Sequence, residues 1–194
     1  YYQHKLEQAM AEETRLCFID LLKNNGSILQ LIDSRQTWLN EGLAQIYGIN
    51  GIKGTHFRKV TLPPGSQRGG LLGQASILTV TSNGVETQPV RRGVWILENI
   101  LGTPTPPPPP DVPEIAPDTR AGKTIRGVME LHRANRTCYE CHKKIDPLGL
   151  AMEKFDYLGR FRADYGKEVR KRLGPKAAEI NVSGELPDGT KIVG

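Results

Sequence analysis

Three residues of the sequence have the spacing to hold one cofactor covalently. Cys138, Cys141 and His142 form a C-x-x-C-H motif, which is the attachment signature of c-type haem. The two thiols can add to the two vinyl groups of one porphyrin, and the adjacent imidazole can then bind the iron as the proximal ligand. The chain has only three cysteines and four histidines, so a match by composition alone would be rare. The motif therefore predicts one covalently bound haem c.

Other chemistry at the same residues needs partners that the sequence lacks. A structural zinc site needs four ligands, and no second C-x-x-C is present to complete the usual spacing. A redox dithiol of the thioredoxin type is typical of a βαβ context, whereas the surrounding pattern is helical and basic. A disulfide between Cys138 and Cys141 is a further alternative, but it leaves His142 without a role. The third cysteine, Cys17, is interpreted as a small buried residue of an amphipathic helix.

The second axial ligand of the iron is less well defined. His132 is the first candidate for the distal ligand, because it shares a helix face with Val128 and Met129, and Met152 is the alternative. A lone histidine or methionine on an apolar face is more often a core residue, so iron with an open or water-bound position is a third possibility. Asp146, which precedes a proline, is interpreted as the N-cap of a following helix rather than as an acid catalyst.

The periodicity of apolar residues predicts a mainly α fold, with a helical N-terminal module, a small cytochrome c-like helical haem domain and a short C-terminal β-hairpin. A helix beginning after the cap Thr37 and ending at Tyr47 and a strand over 57–62 are expected in the N-terminal module. Further helices are predicted at 1–24, 89–101, 119–135 and 147–158, and a hairpin turn at 187–189.

A proline-rich run sets the predicted domain boundaries. Residues 1–102 are expected to be a mostly helical module, the end of a larger domain, and residues 103–118 a stiff polyproline linker. Residues 119–175 then form the haem domain, and residues 176–194 begin a further domain. Because the chain opens within a helical pattern and closes on an apparent hairpin, we expect it to be a piece or a processed form of a longer protein.

The positive charge of the chain is concentrated around the haem motif. The formal net charge is +5, but residues 120–176 carry 15 Lys and Arg against 7 Asp and Glu. An acidic redox partner is the expected binding partner of this region, because complementary charge speeds encounter. Lys143, Lys144, Arg160 and Arg162 are expected at the rim of the haem pocket. No nucleic-acid reader motif accompanies the charge, and no apolar run is long enough to span a membrane.

Several segments resemble planctomycete-type cytochrome c domain proteins, which are large exported multidomain proteins of poorly defined function. The resemblance lies in LHRANRTCYECHKKIDPLG at 131–149, EKFDYLGR at 153–160, RGGLL at 68–72, LTVTSN at 78–83, PVRRGVW at 89–95, and in the polyproline run. It implies haem c and a periplasmic or otherwise extracytoplasmic location. Met152 stands where this family is expected to have Leu, which argues against Met152 as a ligand common to the family.

Three functions are compatible with these observations, and the third and weakest is a structural haem within a large assembly. The first is a c-type haem-binding electron-transfer module of a larger exported protein, with other domains of that protein as neighbours. The alternative is a haem redox enzyme subunit, peroxidase- or oxidase-like, with an open distal iron site. The sequence shows no acid–base pair beside the motif beyond His132, which favours electron transfer.

Overall fold

The computed structural model describes residues 2–107, 124–134, 136–167, 170–171, 174–175 and 179–193. The chain divides into two compact units. The first unit consists of Tyr1–Val80 and Asp156–Phe161, and the second consists of Thr81–Phe155 and Arg162–Gly194. Each unit is therefore built from two separate stretches of the chain.

The predicted mainly α fold is confirmed. The described residues form the α-helices α1 (Tyr2–Lys23), α2 (Glu41–Tyr47), α3 (Ala75–Val80), α4 (Pro89–Asn99), α5 (Ile125–Arg133) and α6 (Arg136–Ala151). They also form the strands β1 (Gln36–Leu39), β2 (Arg58–Thr61), β3 (Gly184–Glu185) and β4 (Lys191–Ile192). Short 3-10 turns lie at Ile28–Leu31 and Leu71–Gly73. Strands β3 and β4 pair antiparallel, so the predicted C-terminal hairpin is present.

The first unit packs α1, α2 and α3 against an antiparallel pair of strands. Strand β1 pairs with β2, with Gln36 opposite Thr61 and Leu39 opposite Arg58. The prediction of a helix that begins after Thr37 is wrong over the first turn, because residues 36–39 form a strand in which burial alternates. Asn40 is the actual N-cap of α2, and its side chain accepts a hydrogen bond from the backbone N–H of Leu43 at 3.0 Å. The buried apolar core of this unit consists of Ala9, Met10, Leu39, Leu43, Ala44 and Ala75.

The second unit is organised by close packing of α4 on α6. Two glycines make this approach possible. A Cβ atom on Gly93 would lie 2.2 Å from the carbonyl oxygen of Ile145, and one on Gly149 would lie 1.8 Å from that of Pro89. Both distances are far below any van der Waals contact, so the backbones of the two helices meet directly. Ile125 and Met129 of α5 are buried with Leu150 of α6, and Val90 of α4 packs against this cluster.

The haem motif and the Asp146–Pro147 pair lie on one continuous helix. The sequence predicted a loop after His142 and a new helix capped by Asp146, and this prediction is wrong, because α6 runs without a break from Arg136 to Ala151. Pro147 lies inside the helix and cannot donate to the carbonyl of Lys143, four residues earlier. Asp146 is therefore a buried residue of the helix interior rather than a cap.

The two units differ from the domains predicted from the sequence. Helix α4 was assigned to the N-terminal module, but it belongs with the motif helix α6 in the second unit. The C-terminal hairpin, predicted to begin a further domain, is in the same unit, and a Cβ on Gly184 would lie 2.8 Å from Pro147. Of the predicted linker, residues 108–118 lie outside the described residues, as do residues 119–123 of the helix predicted at 119–135. No helix in the described ranges has the length and apolar composition needed to cross a membrane.

Candidate functional site

A mostly apolar groove in the second unit brings the motif residues together. Its volume is about 150 Å³, which is smaller than the roughly 300–1,000 Å³ of most small-molecule and cofactor pockets. The lining residues come from α4, α5, α6 and the segment after α4. They are Val90, Val94, Thr105, Pro106, His132, Thr137, Cys138, Cys141, His142 and Ile145.

The three predicted cofactor-binding residues all line this groove. Cys141 and His142 lie three and four residues after Cys138 on α6, which places all three on one helix face. Both motif cysteines, like Cys17, are free and partly buried thiols, so the disulfide alternative is not found. Among the described residues, no group of three or more His, Cys, Asp or Glu side chains could hold a metal ion, which gives the zinc alternative no support.

The imidazole of His142 is oriented by Asp146. Nδ1 of His142 lies 2.8 Å from Oδ1 of Asp146, one helical turn later, and the Asp146 side chain is fully buried. The second carboxylate oxygen, Oδ2, lies 3.4 Å from Nε of Arg133 on α5. With Nδ1 turned toward a carboxylate, the other ring nitrogen, Nε2, is the one that remains available to a metal. The sequence interpretation had assigned Asp146 to a helix cap and had not predicted this contact with His142.

His132 lies beside His142 rather than opposite to it. The two ring centroids are 4.8 Å apart in an edge-to-face arrangement with an interplanar angle of 66°. A metal–imidazole bond is about 2 Å long, so two rings bound on opposite sides of one iron would have centroids roughly 6 Å apart. The described positions are therefore not those of two opposed ligands. Partial burial, together with the nearby His142, lowers the pKa of the His132 imidazole.

Met152, the alternative distal ligand, is not among the residues that line the groove. Its side chain is buried, and its backbone carbonyl accepts a hydrogen bond from Nη1 of Arg92 at 2.9 Å. The same nitrogen donates to the carbonyl of Phe155 at 2.8 Å. Arg92 thus binds two backbone carbonyls of the segment that follows α6, and Met152 is the first of those two residues.

Four groove residues were not expected from the sequence. Val90 and Val94 of α4 form an apolar wall, and Thr105 and Pro106 form part of the rim. The sequence interpretation had assigned α4 to another module and residues 103–118 to a spacer. The signal that could have revealed them is the pair Gly93 and Gly149, since helix glycines often mark close helix contacts.

The basic residues expected at the rim have different environments. Lys144 is exposed, whereas Lys143 forms an ion pair with Glu140 on the same helix. Nη2 of Arg162 lies 2.5 Å from Oε1 of Glu153, whose side chain is fully buried, so the charge of the partly exposed Arg162 is compensated by a buried carboxylate. Arg160 forms an ion pair with Asp156, and both residues belong to the first unit. Of the four, Lys144 is the least compensated.

Comparisons with known families identify the chain at a coarse level. A family model described as PSCyt3, protein of unknown function (DUF1588), matches residues 68–165, just over half of the chain. The chain belongs to the PSCyt3 family. A second model, PSD4, protein of unknown function (DUF1592), matches residues 1–49. Both names are those of planctomycete cytochrome c-type domains. No curated protein and no solved structure matches the chain.

The PSCyt3 match contains helices of both units. It includes α3 of the first unit and, from the second unit, α4, the described segment after it, α5 and α6. One family unit therefore contains both the motif helix and the helix that forms the opposite wall of the groove.

Proposed function

We propose that the groove between α4 and α6 binds one haem c covalently and that this PSCyt3 protein is an electron-transfer module. The observation that carries the proposal is that Cys138, Cys141 and His142 line a single apolar groove together. The thiols are the groups that form thioether bonds to the haem, and His142 is the proposed proximal ligand. Haem, when bound, supplies one-electron redox chemistry.

The composition of the groove supports this proposal. Val90 and Val94 offer an apolar wall opposite the motif helix, and Ile145 adds apolar surface beside His142. An apolar environment limits the access of water to a bound cofactor and raises the energetic weight of each polar contact. The buried hydrogen bond to Asp146 holds the His142 ring so that Nε2 can bind iron.

Covalent attachment is tested by replacing cysteines one at a time. The unaltered protein, produced with a haem-attachment system, should retain its haem after extraction with acid–acetone. Cys138→Ser and Cys141→Ser should each lose one thioether bond, and the double variant should release the haem completely. Cys17→Ser removes the one cysteine outside the motif and is the matched control, which should retain the haem. Haem that extracts from the unaltered protein, or zinc in its place, would contradict the proposal.

One observation bears on the enzyme alternative with an open distal site. Among the described groove residues outside the motif, His132 alone has a side chain that commonly binds haem iron, and its ring lies beside His142. The optical spectrum separates the two functions. A low-spin spectrum that becomes high-spin in His132→Ala would mean that the haem brings His132 to the distal position, as the sequence predicted. A high-spin spectrum of the unaltered protein would favour the open-site alternative.

The proposal extends to cellular location and partners. Because haem is attached covalently outside the cytoplasm in bacteria, we place the protein in the periplasm or another extracytoplasmic compartment. An acidic redox protein is the proposed partner, and the PSD4 match to residues 1–49 supports further domains in the same longer protein.

A further inference from the structure

We propose that Asp146 is a positioning residue that fixes the orientation of His142 and lowers the reduction potential of the bound haem. The inference rests on the proposed haem binding and concerns how this chain tunes it. The sequence pattern Asp-Pro suggested a helix cap, but the geometry of α6 assigns Asp146 a different role.

A hydrogen bond links His142 to Asp146. His142 and Asp146 are four residues apart on a continuous helix, so their side chains lie one above the other. Nδ1 of His142 is 2.8 Å from Oδ1 of Asp146, and Asp146 has no solvent exposure. The imidazole therefore donates its Nδ1–H to a buried acceptor, and water has little access to compete for it.

The acceptor of this hydrogen bond is the carboxylate of Asp146. A carboxylate forms a charge-assisted bond that is stronger than a bond to a neutral carbonyl. The negative charge draws the Nδ1 proton and makes Nε2 a stronger electron donor to a metal. A more strongly donating axial ligand with a nearby negative charge stabilises ferric over ferrous iron, which lowers the reduction potential.

Arg133 of α5 forms an ion pair with the second carboxylate oxygen of Asp146. Nε of Arg133 lies 3.4 Å from Oδ2 of Asp146, and the Arg133 side chain is 24% exposed. A buried carboxylate is costly unless it is paired, and Arg133 supplies an ion pair but no hydrogen bond, since Oδ2 has no hydrogen-bond partner among the described residues. Its partly exposed guanidinium compensates the charge incompletely, so Asp146 keeps its polarising effect on His142.

The test compares two variants that remove the same formal charge from α6. Asp146→Asn keeps the shape and a carbonyl acceptor for Nδ1–H but loses the charge. Glu140→Gln is the matched control, because Glu140 is an exposed residue of the same helix paired with Lys143. Midpoint potentials of the haem-loaded proteins should rise clearly for Asp146→Asn and change little for Glu140→Gln.

A second measurement does not require a variant to fold. In the carbon monoxide complex of the ferrous unaltered protein, the Nδ1–H proton of His142 should give a strongly downfield resonance that exchanges slowly with water. A fast-exchanging proton at an ordinary shift would overturn the positioning role.

The outcomes separate the two proposals. If the unaltered protein holds no covalent haem, the proposed function itself fails. If haem is attached but the potential of Asp146→Asn moves no further than that of Glu140→Gln, haem binding stands and the role of Asp146 is overturned.

Discussion

At the scale of single residues, Glu13 is a carboxyl group that the first unit encloses completely. The hydroxyl of Tyr47 donates to Oε2 of Glu13 at 2.6 Å, the hydroxyl of Thr37 donates to Oε1, and the Arg68 guanidinium stacks on the Tyr47 ring at 3.9 Å. Burial raises the pKa of Glu13 to about 7, while the hydrogen bonds from Thr37 and Tyr47 oppose this rise. The folded state therefore binds this proton more tightly than the unfolded state, where the pKa is near 4.5.

The sign of the pH dependence follows from that difference. The contribution of Glu13 to the free energy of unfolding is fully present below pH 4.5 and is lost as the pH rises to about 7. The rise in pKa corresponds to a loss on the order of 3 kcal/mol. Glu13→Gln should remove most of this dependence between pH 5 and pH 8 in urea denaturation followed by Trp38 fluorescence, in a Trp95→Phe background. The partly exposed neighbour Glu12, changed to Gln, is the control and should keep the dependence of the unaltered protein between pH 5 and pH 8. An unchanged slope in Glu13→Gln would contradict the assignment.

Some site residues could be predicted from the sequence and others could not. Cys138, Cys141 and His142 line one groove, because their spacing within about one helical turn fixes a common face. Asp146 was misinterpreted because Asp followed by Pro is typical of a helix start. His142 and Asp146 are four residues apart, and only a continuous helix places them on the same face. Pro147 conceals that continuity in the sequence.

At the scale of secondary-structure elements, the groove depends on how closely α4 approaches α6. Gly93→Ala and Gly149→Ala would place a methyl group within 2.2 and 1.8 Å of backbone carbonyl oxygens. A backbone contact cannot relax as a side chain can, so each variant should lose about 3 kcal/mol or more of stability. The readout is urea denaturation followed by Trp95 of α4 in a Trp38→Phe background, together with haem retention.

A matched control for those variants lies in α2. A Cβ on Gly42 would meet side chains at 3.5 and 4.0 Å, which are ordinary contacts. Gly42→Ala should therefore be neutral or stabilise the protein by up to about 1 kcal/mol, because alanine is the better helix former. If Gly93→Ala and Gly149→Ala were equally harmless, the close contact between α4 and α6 would be wrong.

The elements themselves were predicted with uneven success. Helices α1 and α4 were expected, since each has a long apolar stripe, whereas β1 was mistaken for a helical turn because four residues carry too little periodicity. The proline run suggested a domain boundary after α4. The structure has no unit boundary at that point, because close contacts at glycines join α4 to α6. Sequence periodicity does not encode such contacts between distant segments.

At the scale of the whole molecule, the division into units changes which charges can serve a partner. The basic excess of residues 120–176 looked like one surface in the sequence. In the structure Arg162 is bound to buried Glu153, Arg160 belongs to the first unit, and Lys143 is paired with Glu140. Lys144, exposed and two residues after His142, remains the strongest candidate for steering an acidic partner.

The proposed docking of an acidic donor is therefore expected to depend on Lys144 more than on Lys143. Charge steering acts within a Debye length of about 8 Å at physiological salt, so the reduction rate of the haem should fall as the ionic strength rises. Stopped-flow reduction by a small acidic redox protein at low salt should be slowed several-fold by Lys144→Glu and less by Lys143→Glu, whose charge Glu140 already offsets. Lys23→Glu makes the same charge change on an exposed residue of the first unit and is the control. At high salt all four proteins should react at similar rates, because the steering field is screened. Equal rates for Lys144→Glu and Lys23→Glu at low salt would mean that net charge alone, and not a docking surface beside the motif, governs the encounter.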